Sequence, residues 1–168
     1  TPNTSSAASD VYKRQGRVSP SKSATFAKNL KAFEAELDKR VAGWKKKMAP
    51  LKGAAFVEYH DAWIYFADRF GLKIVGRLEP KPGLAPTPSH LADVIKTARS
   101  RRVGIIVARP AQRDTAAKVA SEVDAHATVL PLSSTTKDRS YFDFMDRVVG
   151  TFAKHLKKPA PAPKTAAS

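Results

Sequence analysis

The sequence predicts an α/β fold: a long N-terminal amphipathic linking helix, then one lobe with a four-stranded parallel sheet flanked by helices. Three observations carry this. Apolar residues recur at helical spacing from Phe26 to Leu51; four short, β-branched apolar runs follow at 54–59, 72–78, 103–108 and 127–130; and helical stretches separate those runs. Strands that alternate with helices are joined by crossovers, so they lie parallel and both faces of their sheet are covered.

Residues 1–22 are rich in Ser, Ala, Thr and Pro and show no periodicity, so they read as a disordered leader. The stretch from Ser5 to Gln15 resembles a translated sequencing adapter, and the leader is therefore expected to be non-native and is left out of the fold argument. Residues 23–51 form the linking helix. Phe26, Leu30, Phe33, Leu37, Val41, Trp44, Met48 and Leu51 fall at spacings of three and four, which keeps them on one helical face. Ser23 is the expected N-cap, and Pro50 ends the regular part. The stripe mixes aromatic with aliphatic residues and lacks a Leu/Ile repeat, which favours docking on the following lobe over a free coiled coil.

Residues 52–157 make the α/β lobe. The first strand is expected at 54–59, a helix at 62–70 with Gly71 as C-cap, and a second strand at 72–78. The segment 79–88 carries four prolines, which fix φ and remove donors, so it is irregular. Thr87 or Ser89 then caps a helix through about residue 101. A third strand at 103–108, a helix at 114–123, a fourth strand at 127–130 and a helix at 141–156 complete the lobe. Residues 158–168, rich in Pro, Ala and Lys, read as a disordered tail.

Composition narrows the function classes. The chain has 168 residues, 42% of them hydrophobic, enough for about one domain with a real core. No apolar run reaches the ~18 residues of a membrane span. The absence of cysteine excludes disulfides, thiolate metal sites and cysteine nucleophiles. The net charge of +15 invites a nucleic-acid reading, but the excess lies mostly outside the middle: +8 over residues 1–55, +3 over 56–150 and +4 over 151–168. A basic nucleic-acid-binding α/β domain is therefore an alternative, not the leading reading. An α/β hydrolase-like enzyme using His60 and Asp61 is weaker still, for the chain holds no Gly-x-Ser-x-Gly, Gly-x-Gly-x-x-Gly, Gly-Lys-Ser/Thr or His-Glu-x-x-His motif.

The candidate chemistry-bearing residue is His60, although a histidine taken alone at a strand end is more often hydrogen-bonded than a ligand. It stands where the first strand gives way to a helix, at the carboxyl end of a parallel strand, where such folds hold ligands. Neutral imidazole is also the commonest metal ligand among side chains. Glu58 shares its face of the strand and reads as a solvated or ion-paired acid; Asp61 is expected to cap the following helix. Glu79 follows the second strand and could line a cleft. His90 falls in the first turn of a helix, His126 and His155 read as surface positions, and Arg109 and Arg113 as solvated. Tyr59, Trp63, Tyr65 and Phe66 are placed in the core by their spacing, in preference to a base-stacking platform.

Several pieces in this order resemble one family. They are Tyr59-His60-Asp61-Ala62 with Tyr65-Phe66 and Gly71-Leu72; Leu78-Glu79-Pro80-Lys81-Pro82-Gly83; Pro86-Thr87-Pro88-Ser89-His90-Leu91; Val129-Leu130-Pro131-Leu132; and Tyr141-Phe142-Asp143-Phe144-Met145. Together they resemble the C-terminal lobe of the metal-binding solute-binding proteins of zinc and manganese ABC importers, over about Phe26 to Phe152. The resemblance implies a truncated C-terminal half that needs the missing N-terminal lobe of the same protein. It implies Zn²⁺ as the transported metal, with Mn²⁺ the alternative, and an ABC permease in the inner membrane as partner. It also implies a periplasmic or extracytoplasmic location, free or lipid-anchored, with no enzymatic step and no nucleic acid. His60 falls on the family's C-lobe histidine ligand, while the late aspartate ligand would fall near Pro131, which has no ligating side chain. Imidazole at position 60 favours zinc over manganese.

Overall fold

The computed structural model describes residues 4–131, 133 and 138–159. The expected tail at 158–168 lies outside the described residues except for Lys158 and Pro159. The chain divides into two compact units, one ending at Trp44 and the other beginning at Lys45, so the division falls inside the long helix.

In the first unit the expected disorder is replaced by a helix, α1 (Thr4–Val18). The composition explains it: Ala, Lys, Arg and Gln favour helix, and no proline interrupts the chain between Pro2 and Pro20. A 3₁₀ turn (Pro20–Lys22) leads into α2 (Ser23–Met48). Ser23 is not an N-cap but already helical, at φ −54° and ψ −43°, because the proline-led turn before it sets the direction of the chain. Within this unit Leu37 and Trp44 of the apolar stripe are buried, while Glu36 and Arg40 pair on the helix at 2.6 Å.

In the second unit α2 ends at Met48 and Pro50 lies in the 3₁₀ turn Ala49–Leu51, as expected of a residue that disfavours helix before it. The lobe then runs β1 (Ala55–Glu58), α3 (Ile64–Phe70), β2 (Lys73–Arg77), α4 (Pro88–Ser100), β3 (Ile105–Ala108), α5 (Arg113–Glu122), β4 (His126–Val129) and α6 (Tyr141–His155). All pairings are parallel, in the order β2-β1-β3-β4. Gly71 closes α3 at φ +65°, with the Leu72 N–H reaching back to the Ala67 carbonyl at 2.8 Å. Thr87 caps α4, its hydroxyl accepting from the His90 N–H at 3.3 Å.

Strand alternation sorts the core into two layers. Val57 and Tyr59 face a layer made by Val94 and Ala98 of α4 with Ala116, Val119 and Ala120 of α5. Phe56 faces the other way, edge-on to Phe152 of α6 at 5.2 Å, where Trp63 and Phe66 complete an aromatic cluster. The order of the sheet follows from these faces. The chain leaves β1 through α3 in one direction and later leaves β3 through α5 in the other. The reversal places a topological switch point between the carboxyl ends of β1 and β3, where open α/β sheets hold ligands.

Candidate metal centre

His60 sits at that rim. Strand pairing continues past the strand ends: the Tyr59 N–H donates to the Val107 carbonyl at 2.7 Å and the Glu79 N–H to the Tyr59 carbonyl at 3.0 Å. Since Glu58 pairs with Arg77 in the β1–β2 register, two residues further on His60 comes opposite Glu79. Their side chains meet, His60 Nδ1 to Glu79 Oε2 at 2.6 Å. The other oxygen of Glu79 accepts the Gly83 N–H at 2.9 Å, so the proline-rich loop is folded back onto the carboxylate. Gly83 adopts φ +81°, the left-handed region that glycine enters without penalty. The hydrogen bond from His60, then that from Gly83, holds the Glu79 carboxyl below the usual carboxylate range, with the charge of Arg109 adding to the effect. Burial raises the phenol of Tyr59, and the Glu79 carboxylate raises it further.

The consequence lies on the other side of the ring. With Nδ1–H donated to a carboxylate, a neutral imidazole carries its lone pair on Nε2. That atom is buried and has no hydrogen-bond partner among the described residues. A metal-ligating histidine typically shows this arrangement, one nitrogen bound to a carboxylate and the other free to coordinate. Among the described residues no group of three or more His, Asp or Glu side chains converges on one point. His60 is therefore an acceptor whose further partners are not gathered around it.

A second network fixes the backbone on which His60 rides. Glu58 is fully buried, and its Oε2 accepts the Ala62 and Trp63 N–H groups at 3.2 and 3.1 Å. Its Oε1 accepts Arg77 Nε at 2.7 Å, and Arg77 Nη2 reaches Asp61 at 2.7 Å. Burial of an acid is tolerated only with such pairing. Glu58 thus takes the ion-paired role the sequence allowed it, but buried rather than solvated. Asp61 does not cap α3: Trp63 holds that position with no side-chain bond, and Glu58 satisfies the N–H groups entering the helix. Asp61 goes to Arg77 instead, pairing with its guanidinium at 2.7 Å.

The other candidates are dispersed. His90 Nε2 donates to the Arg77 carbonyl at 2.8 Å and ties α4 to the end of β2. His126 is exposed, but His155 is half-buried, the two rings stacked 3.6 Å apart at 6°. Arg109 and Arg113 are exposed. Tyr59 and Trp63 are core residues as expected, whereas Tyr65 is 87% exposed because it lies on the outer face of α3. Arg77 and Gly83 were not singled out by sequence. The signal available for Arg77 was its equivalence to Glu58 across two adjacent strand ends.

The lobe is a doubly wound parallel α/β sheet with a carboxylate-paired histidine at its switch point, the place where sheets of this class hold ligands. The chain matches the family model described as "ZnuA: Zinc-uptake complex component A periplasmic" over residues 1–155, and it belongs to that family. It is similar to the high-affinity zinc uptake system protein ZnuA of Brucella abortus (strain 2308), 28% identical over 156 residues, covering 92% of this chain and 46% of that protein. The chain thus spans about half the length of the curated relatives it matches. Among solved structures it resembles one of ZnuA, with a TM-score of 0.78 at 22% identity, covering 90% of this chain and 57% of the other. A Zn(II)-bound AdcAII variant of Streptococcus pneumoniae gives 0.73 at 21% identity, covering 91% and 57%. These structural likenesses confirm the α/β fold.

Proposed function

We propose that this chain is the C-terminal lobe of a zinc-binding, extracytoplasmic solute-binding component of an ABC importer, and that His60 is the ligand it offers to the metal. The observation that carries the reading is the pairing of His60 Nδ1 with Glu79 while Nε2 is buried and, among the described residues, unpartnered. Family membership and relatives named for high-affinity zinc uptake support the choice of zinc, as does imidazole as the donor. No bond is made or broken; the cation is cargo, taken up outside the inner membrane and passed to a permease. Capture is completed by a second lobe, whose closure finishes the coordination shell and whose opening weakens it. Glu79 serves here as an aligning residue, one oxygen accepting from His60 Nδ1 and the other from the Gly83 N–H.

The test is a zinc titration of the 168-residue chain. One imidazole with little help predicts a Kd on the order of 0.1 mM, about −5.5 kcal/mol. His60→Ala abolishes this binding, while His90→Ala leaves it unchanged. Zinc binding that survives His60→Ala would overturn the assignment. Any binding weakens on acidification, because the proton competes for the ring nitrogen.

A further inference from the structure

Two buried side-chain acceptors are left without a partner among the described residues: His60 Nε2 and Gln112 Oε1. They lie on the same rim. Gln112 closes the 3₁₀ turn Pro110–Gln112 directly off β3, its N–H bonded to the Arg109 carbonyl at 3.0 Å. The strand it leaves is the neighbour of β1, and the Tyr59–Val107 hydrogen bond joins the two chains one residue before His60. The two acceptors therefore flank the switch point from its two sides. Gln112 also holds the N-cap position of α5, yet its side chain makes no capping bond. An oxygen that ordinarily has the free N–H groups of a helix start at hand has been turned away from them and buried. Leaving such an acceptor unpaired is unfavourable, and a cation seated at the switch point would satisfy both atoms.

We propose that Gln112 is a second donor of this lobe, its carboxamide oxygen coordinating the same divalent cation as His60. This deepens the reading of His60 as a zinc ligand and rests on it. The amide is neutral, so it adds a bond without adding charge at a rim where Arg109 and Arg113 already follow β3. A carbonyl oxygen is also a harder donor than imidazole, so its share of the binding is larger for Mn²⁺ than for Zn²⁺.

The experiment uses the full chain, titrated with Zn²⁺ and with Mn²⁺, and melted free of metal. Gln112→Leu is expected to weaken zinc binding about tenfold, and manganese binding more. The same variant should raise the metal-free Tm, because it removes the unpaired acceptor. Gln112→Glu should bind more tightly and with a steeper loss on acidification. If Gln112→Leu fails to fold, the Glu variant decides: unchanged affinity overturns the proposal. The effects of His60→Ala and Gln112→Leu should be strongly non-additive, as for two donors to one ion. If His60→Ala abolishes binding and Gln112→Leu leaves it intact, this inference alone is refuted. If neither changes binding, the reading of His60 falls with it.

Discussion

Replacing Glu79 by glutamine keeps the shape of the side chain and removes its charge, which isolates what the carboxylate does for His60. The bond it weakens is short, 2.6 Å from His60 Nδ1 to Glu79 Oε2, with the acceptor ionised. Outer carboxylates of this kind are worth about 10–100-fold in metal affinity, or about 1.4–2.7 kcal/mol. Glutamine can still accept from Nδ1, so Glu79→Gln belongs near the tenfold end. Glu79→Ala also frees the Gly83 N–H and belongs near the hundredfold end. The sign of the pH effect is fixed by the depressed carboxyl of Glu79. Its contribution to stability is present above the ordinary carboxylate range and is lost as pH falls through the lowered folded-state value. Glu79→Gln should therefore flatten stability at the acid end. The assay is a zinc titration followed through the His60 ring resonances, alongside melting curves at several pH values. Wild-type affinity and an unchanged acid limb in Glu79→Ala, with binding still dependent on His60, would refute the reasoning.

Three further outcomes follow from the same coordinates. Arg77→Ala leaves Glu58 buried without its cation; the loss should be about 2–4 kcal/mol in urea denaturation, below a fully buried pair because Arg77 is 40% exposed. His155 is held below its ordinary value by burial, then by His126 and Lys154, so its contribution to stability is full above the unfolded-state value and falls as pH drops below it; His155→Phe should reduce that slope in melts between about pH 5 and 8. Gly104→Ala would set a Cβ 2.6 Å from the Lys157 backbone nitrogen, and a drop in stability of about 1–3 kcal/mol is expected from calorimetry.

The lobe was legible because its signals are local and repeated. Each β-branched run became a strand within two residues of its expected ends, and Gly71, Thr87 and Pro50 punctuate the chain as their backbone chemistry requires. Residues 4–18 are helical without an apolar period to announce it, since Ser and Ala in a low-complexity stretch carry none while Ala, Lys, Arg and Gln favour helix. Around His60 the position could be read, since strand-to-helix transitions are visible in one dimension. The partners could not: Arg77 and Glu79 lie 19 residues from the acid and the histidine they meet, and only the parallel register brings them opposite. Asp61 was assigned to a cap by adjacency, and tertiary pairing with Arg77 prevailed. The stacked His126 and His155 were invisible for the same reason, one opening β4 and the other closing α6.

The strand ladder does not stop where the strands do, for Tyr59 and Glu79 both keep inter-strand hydrogen bonds. The backbone on either side of the imidazole's attachment is thereby held in the hydrogen-bonded ladder. On the proposed assignment, a donor mounted in this way selects among cations through where the ion must come to rest. Slow amide exchange at Tyr59 and Glu79, matching that of the central strands, is the signature of such a mount.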